Sequence, residues 1–514
     1  MITPYYQMKE MFEIVITTAN ARYSHSSLGL RYLYANLGEL QQKTLILEHT
    51  IKDNAHEIMQ KCLSKNPKII GIGIYIWNVE LLTKVIKLLK SEAPHIVIII
   101  GGPEVSYGLS NDLDKHVDYI IQLEGELAFK KLTEKLLAGK FPSNKVIKGE
   151  VLNTEDIQLP YEFYNDSDVK NRKIYVEASR GCAFKCHFCL SSLDDGIRNF
   201  NIDDFLFEMK KLYQRGVRQF KFVDRTFNLD IKFSTKILRF FLDLDPNQNF
   251  FLHFEVIPDR LPVDLKSHIE LFRPGVLQFE VGIQSLNKEV SDRIGRKQNK
   301  EKALHNLKYL RQKTNAHLHV DLIIGLPGAD LGIFKSDLNE LISIGLQEVQ
   351  VGILKNLKGT PLSQHIESFE MKFNPLPPYE ILSNKDLSFE VILQLQSFQK
   401  FWDKYFNSSN FKGSMKFLFN LSNPFDEFFE FSLYSFNKFQ RNYGLSLDQL
   451  VENLHDYFLL KKNISYEVSR ELILKDILQK KDRKIPKYLR NYELGIPDVE
   501  QKKSHKALYR QSNN

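Results

Sequence analysis

Cysteine is scarce in this chain: four residues in 514. That is too few for a disulfide framework, so a reducing compartment is expected. Long apolar runs are also missing. The longest, near Ile69–Ile76 and Ile96–Ile100, fall far short of a bilayer span and read as buried strands. Met1 to Glu13 lacks a basic n-region followed by an apolar h-region, so no signal peptide is expected and a cytoplasmic location follows. No strong excess of one charge exists either, since 70 Lys and Arg stand against 63 Asp and Glu, a net +7. Only the tail beyond Lys475 is visibly basic, through Lys480, Lys481, Arg483, Lys484, Lys487, Arg490, Lys502, Lys503, Lys506 and Arg510. Such a run is more often a solvated face than a nucleic-acid contact, so no nucleic-acid partner is expected. The composition, 43% hydrophobic and 26% charged, is that of an ordinary globular protein with room for two to four domains.

Three of the four cysteines lie in one loop, Glu177-Ala-Ser-Arg-Gly-Cys-Ala-Phe-Lys-Cys-His-Phe-Cys-Leu190. Cys182, Cys186 and Cys189 are spaced C-x3-C-x2-C, which can close three thiolates onto one face of a metal cluster but offers no fourth ligand. Cys62, 120 positions before Cys182, falls in an expected helix and is the less natural fourth ligand. Three ligands leave one iron open to a substrate or cofactor; the plainer readings are a zinc knuckle or three ordinary thiols. With Arg180-Gly181 before it and an aromatic just before the last cysteine, the loop resembles that of the radical S-adenosylmethionine (SAM) enzymes. The resemblance implies a 4Fe-4S cluster, SAM chelating its open iron, an electron donor such as flavodoxin or ferredoxin, and reductive cleavage of SAM to a 5′-deoxyadenosyl radical.

Ahead of this loop, apolar strands at Glu13–Thr18, Thr44–Glu48, Ile69–Ile76, Ile96–Ile100 and Tyr119–Ile121 alternate with helical patterns such as Ala55–Leu63 and Leu81–Leu89. Strands apolar on both faces and separated by helices imply a doubly wound parallel sheet over residues 1–148. Ligands of such sheets sit at the carboxyl ends of the strands. Polar and glycine-rich loops fall there: Asn20–Ser26, Tyr75–Asn78, Gly101-Gly102-Pro103-Glu104 and Glu124-Gly125-Glu126. Taken alone these are ordinary turn glycines. In this order before the cysteine loop they are similar to the cobalamin-binding domain of one radical SAM subclass, which implies cobalamin contacts at Gly101, Gly102, Pro103, Glu104 and Gly125. The D-x-H-x-x-G signature of the wider cobalamin-binding pattern is absent, so cobalamin would bind base-off without a His ligand. His25, in the first loop, reads as a loop histidine rather than a cobalt ligand.

Residues 149–171 read as a polar linker. From Lys173 the chain alternates strand and helix again, with strands at Lys173–Ala178, Gln219–Val223, Phe250–Ile257, Val276–Val281, His317–Ile324 and Glu348–Leu354. Six strands over residues 172–365 match the partial (β/α)6 barrel of radical SAM enzymes, with active-site residues expected at the strand ends. SAM needs acceptors for its hydroxyls and amino group, a cation for its carboxylate and an apolar slot for adenine. Glu255, Gln284 and Asp321 supply the acceptors, Arg296 the cation, Ile323–Pro327 the wall, and Asp224 a polar head on an apolar strand. The resemblance carries SAM contacts onto these positions.

Past Leu362 the alternation stops, and Pro375, Pro377 and Pro378 mark a boundary. Residues 366–514 are helical by pattern and rich in phenylalanine, as in Phe398-Gln-Lys-Phe-Trp402, which reads as core. They resemble the helical extension of a cobalamin-type radical SAM group. The implied activity is cobalamin-dependent methyl transfer to an unreactive carbon. A radical rearrangement or cyclisation is the alternative within the class, and a non-catalytic iron-sulfur protein binding RNA or a partner is the alternative outside it.

Overall fold

The computed structural model describes residues 11–108, 111–194, 196–480, 483–486 and 489, so most of the basic tail lies outside the described residues. Six parallel strands form the first sheet: β1 (Ile14–Asn20), β2 (Thr44–Thr50), β3 (Ile69–Gly73), β4 (Val97–Gly101), β5 (Tyr119–Gln122) and β6 (Val146–Lys148). They are ordered β2-β1-β3-β4-β5-β6. Every residue of β1 is buried, because helices cover both faces. Ile58, Leu82, Val85 and Leu89 pack on one face from the helices Ala55–Leu63 and Val79–Glu92. Leu30, Phe129, Leu132 and Leu136 pack on the other from Leu28–Ala35 and Glu126–Leu137. The strand order reverses between β1 and β3, which opens a crevice at their carboxyl ends.

The cysteine segment follows β7 (Ile174–Val176). Its flanks pair as a short antiparallel hairpin, β8 (Ser179–Cys182) with β9 (Gly196–Asn199), which the sequence pattern does not announce. Five further parallel strands complete the second sheet: β10 (Gln219–Phe222), β11 (Phe251–Val256), β12 (Leu277–Gln284), β13 (His317–Ile324) and β14 (Glu348–Ile353). The order β7-β10-β11-β12-β13-β14 is sequential, as an open (β/α)6 barrel requires.

An open barrel has two free edges whose backbone groups need partners. On the β7 side, residues 149–171 supply them. This segment is less of a linker than its polarity suggests, since Tyr161 and Tyr164 are fully buried. Tyr161 donates its hydroxyl to the Glu177 carbonyl and accepts from the Glu177 N–H, each at 3.0 Å, and Tyr164 donates to the Tyr175 carbonyl at 2.7 Å. On the β14 side, Trp402 Nε1 donates to the Val349 carbonyl at 2.8 Å, and Asn407 Oδ1 accepts from the Val349 N–H at 3.1 Å. The C-terminal region is therefore an edge cover for the barrel. It begins with a two-stranded hairpin, β15 (Lys372–Phe373) and β16 (Ile381–Ser383), where the proline-rich stretch stands. Helices at Phe389–Trp402, Lys412–Phe419, Pro424–Phe439, Leu447–Lys462 and Tyr466–Leu478 follow. Their phenylalanines are core, and that core is continuous with the barrel's.

Candidate cofactor site at the domain junction

Each strand end contributes to one junction between the two sheets. A cavity of about 200 Å³ opens at the carboxyl ends of β3, β4 and β5. Its apolar walls include Leu33, Ile99, Ile121 and Phe129, and Gly101, Gly102 and Gly125 line it as expected. Gly102 has φ +106°, and a Cβ there would stand 2.5 Å from the Ile74 carbonyl oxygen, so only glycine fits. Pro103 and Glu104 are not among the lining residues. Glu104 instead accepts from the Tyr379 hydroxyl at 2.5 Å and lies 3.8 Å from Lys358 Nζ, tying this loop to the hairpin beyond the barrel. His25 is turned away as well: it bridges to Lys173, and its ring meets Tyr175 edge-on. Gly29, Gly71, Tyr75 and Leu123 also line the cavity. They carry no motif of their own and become visible only once the strand order is known.

One wall of this cavity is Arg180, from the cysteine loop's own hairpin. Its guanidinium lies 2.7 Å from Glu126, 3.0 Å from Glu177 and 3.6 Å from Glu124, and over the Tyr32 ring at 4.5 Å. Arg198 from β9 also pairs with Glu124. Two motifs singled out separately in the sequence, Arg180-Gly181 and Glu124-Gly125-Glu126, thus bind each other across the junction. Burial pushes the Glu177 carboxyl up and Arg180 beside it holds it down; burial wins.

Two residues on, the thiols begin. Cys182 and Cys186 are buried and Cys189 is partly exposed. Donors already face the sulfurs: the Phe184 N–H at 3.5 Å and the Thr226 hydroxyl at 3.7 Å from Cys182, and Arg296 Nη1 at 3.6 Å from Cys186. Hydrogen bonds of this kind stabilise thiolates and tune a cluster. Two glycines fix the loop by close approach. A Cβ on Gly181 (φ +89°) would stand 2.1 Å from the Gly196 carbonyl oxygen, and one on Gly295 (φ +68°) 2.5 Å from that of Lys185. Among the described residues, no three His, Cys, Asp or Glu side chains are placed to hold a single metal ion. Cys62 is buried in the helix Ala55–Leu63 of the first domain, with its thiol pushed up to about 12 by burial.

The expected SAM residues divide. Gln284, at φ +68° where the β12–β13 register shifts, has its Oε1 buried without a partner. Asp321 Oδ1 is likewise buried without a hydrogen bond, His319 Nε2 lying 3.3 Å away but misaligned. Glu255 stands 3.6 Å from Arg225, which the sequence reading quoted but gave no role. Burial and Glu280 raise the Glu255 carboxyl. Burial would raise Glu280 too, but the hydrogen bond from His253 at 3.0 Å holds it low. Arg296 donates to Gln298, the Gly282 carbonyl and Cys186, so its cation sits between strand β12 and the cysteine loop. Asp224 is different: it accepts from the Ala178 N–H at 3.1 Å and the Ser179 hydroxyl at 2.6 Å. Burial pushes its carboxyl up to about 7. It braces the backbone that enters the cysteine loop.

Comparison with known proteins agrees with this layout. A family described as the B12 binding domain matches residues 14–133, the radical SAM superfamily matches 176–341, and a family described as "Protein of unknown function (DUF4080)" matches 367–514. The cobalamin-dependent radical SAM methyltransferase TokK of Streptomyces tokunonensis is 23% identical over 76% of this chain and 61% of its own length. An uncharacterized methyltransferase of Pyrococcus horikoshii is 27% identical over 40% of this chain and 50% of its own. The chain thus spans half to three fifths of the length of these curated relatives. The solved structure of the cobalamin-dependent SAM radical enzyme OxsB, with aqua-cobalamin and SAM bound, superposes with a TM-score of 0.61. It is 15% identical, over 91% of this chain and 79% of that one. This chain carries a cobalamin-binding domain followed by a radical SAM domain. No helix among the described residues is long and apolar enough to cross a membrane.

Proposed function

We propose that this chain, a cobalamin-binding domain joined to a radical SAM barrel, transfers a methyl group to an unreactive carbon. The observation that carries the proposal is Arg180, which walls the cavity of the first domain and stands two residues from the first thiol. A group held in that cavity and one held by the cysteines would therefore open onto the same space.

The residues fit their groups. Cys182, Cys186 and Cys189 would hold three irons of a 4Fe-4S cluster, with Thr226, Phe184 N–H and Arg296 as sulfur donors. The unpartnered oxygens of Gln284 and Asp321 are acceptors awaiting donors such as the SAM hydroxyls or amino group. Glu255 is a further acceptor. The cation of Arg296 is placed for the SAM carboxylate. A cavity of about 200 Å³ is smaller than the range for drug-sized ligands, so it suits one ring-sized part of cobalamin such as the detached lower base. When bound, the cluster supplies the electron that splits SAM into a 5′-deoxyadenosyl radical, and cobalamin carries the methyl group, renewed by a second SAM. The chain's own part is positional: Asp224 braces the strand entering the thiol loop, Glu126 and Glu177 grip its arginine, and Glu104 with Tyr379 fixes the loop beside the cavity.

Anaerobically reconstituted protein with dithionite and SAM should release both 5′-deoxyadenosine and S-adenosylhomocysteine, and Cys186→Ala should release neither. 5′-Deoxyadenosine alone would replace methyl transfer by a rearrangement. Unchanged products in Cys186→Ala would end the radical SAM reading.

A further inference from the structure

The proposed reaction needs one electron from outside, and the thiol loop meets solvent on one side only of its chain. Cys182 and Cys186 are buried, whereas Ala183 and Lys185 on the rim between them are exposed. Phe184 lies between these two, and the guanidinium of Arg260 sits over its ring at 5.6 Å. Arg260 is exposed and lines an open groove of about 690 Å³ together with Pro262, Lys302 and His305. Lys297 is exposed next to Arg296, which touches Cys186.

The charges here are unbalanced. Among the described residues no carboxylate pairs with Arg260, Lys297 or Lys302, whereas neighbouring Lys300 is paired with Glu340 at 2.8 Å. Two acids face the groove, Asp259 and Glu301. Asp259 spends one oxygen on the Asn299 N–H at 3.0 Å, and its other oxygen is buried. Lys185 adds its charge at the rim, its ammonium donating to the Ser192 and Asp194 carbonyls. Unpaired cations on a rim raise association rates with an anionic partner more than they stabilise the fold.

We infer that this face, from the Ala183–Lys185 rim across Arg260 to Lys297 and Lys302, is the docking surface for an acidic one-electron carrier protein. The inference rests on the proposed function. The carrier loses one electron and the cluster gains it; no bond or proton changes hands at the surface. Electron entry here leaves the cavity and the SAM residues, on the inner side of the loop, free for their ligands.

The test uses full-length reconstituted protein and a purified acidic flavodoxin as probe. Titration calorimetry at low ionic strength should show binding that weakens about fivefold to tenfold in Arg260→Glu and in Lys297→Glu, and that fades between 50 and 300 mM salt, estimates that follow from contact charges screened over about 10 Å. Dithionite-driven release of 5′-deoxyadenosine should be unchanged in both variants, which also shows that they fold. Affinity unaltered by either charge reversal would overturn the docking surface. If wild-type protein with dithionite released no 5′-deoxyadenosine, the radical SAM reading would fail, while the affinities would still judge the surface.

Discussion

Replacing Arg180 by methionine keeps the length of the side chain and removes the charge that joins the two domains. Arg180 is 11% exposed, and its partners Glu126 and Glu177 are 6% and 16% exposed, so water screens these contacts little. Arg198 would still neutralise Glu124, which leaves Glu126 and Glu177 as the orphans. Stripping one partner from a buried pair costs about 3–5 kcal/mol. The lower end applies here, because an orphaned carboxylate takes up a proton rather than stay bare, and burial already pushes Glu177 that way. We expect Arg180→Met to lose about 3 kcal/mol at pH 7.5 in reversible urea unfolding. The chain's two tryptophans, Trp77 beside the cavity loop and Trp402 on the barrel edge, report on the two domains. The sign of the pH dependence follows from linkage. In the variant these carboxyls have folded pKa values above their unfolded ones, so stability is lost as pH rises through that window, and the penalty is larger at pH 7.5 than at pH 5.5. Arg180→Lys, which keeps the charge but not the fork, should fall between. A penalty under about 1 kcal/mol at pH 7.5, or one that grows on acidification, would refute the view that a buried ionic clamp fixes the thiol loop.

Three further outcomes are expected. Asp224, pushed up to about 7 by burial, binds its proton more tightly folded than unfolded, so wild-type stability should fall relative to Asp224→Asn by about 2 kcal/mol between pH 5 and pH 7; a flat difference in denaturant titrations would remove the raised carboxyl. Gly102→Ala places a Cβ 2.5 Å from the Ile74 carbonyl oxygen and should cost about 1–3 kcal/mol, lowering the cobalamin retained on gel filtration while iron content stays at the wild-type level. Trp402→Phe removes the donor to the Val349 carbonyl and should cost about 1–3 kcal/mol, with amide exchange in β14 accelerating before that in β12.

The two sheets were legible because their signals are local. β13 spans His317–Ile324 and one helix Ala55–Leu63, both as the apolar pattern predicts, since alternation in the first and helical spacing in the second are written within a dozen residues. The cysteine loop was legible for the same reason. The β8–β9 hairpin was not, because its four-residue strands carry Arg, Ser and Asn rather than an apolar alternation, and their pairing is fixed by the glycines Gly181 and Gly196. Nor was the covering of the barrel's edges, which depends on knowing that β7 and β14 are the outer strands before Tyr161, Tyr164, Trp402 and Asn407 acquire a purpose. Within the site, residue type foretold Gln284, Asp321 and Arg296. It misled at Asp224 and Glu104, whose carboxylates bond to protein groups instead. A polar residue at a strand end states that a bond is made, not with what.

The grip on the thiol loop comes from three directions, each with a different physical origin. Backbone approaches as close as only glycine permits hold it at Gly181 and Gly295, the clamp on Arg180 ties its entry to the cavity domain, and Asp224 holds the strand before it. None of these contacts involves a thiol. The fold therefore sets the position of the loop relative to both domains independently of whatever the cysteines bind, and a bound cluster would need to order only the few residues between Cys182 and Cys189. A loop so fixed keeps the distance from thiols to cavity constant, which a group transferred between two cofactors requires, because misplacement by an ångström is enough to cost orders of magnitude in rate. The buried charge at the junction is accordingly better understood as fixing geometry than as adding stability, since well-packed apolar residues would stabilise the same interface as well without specifying its register.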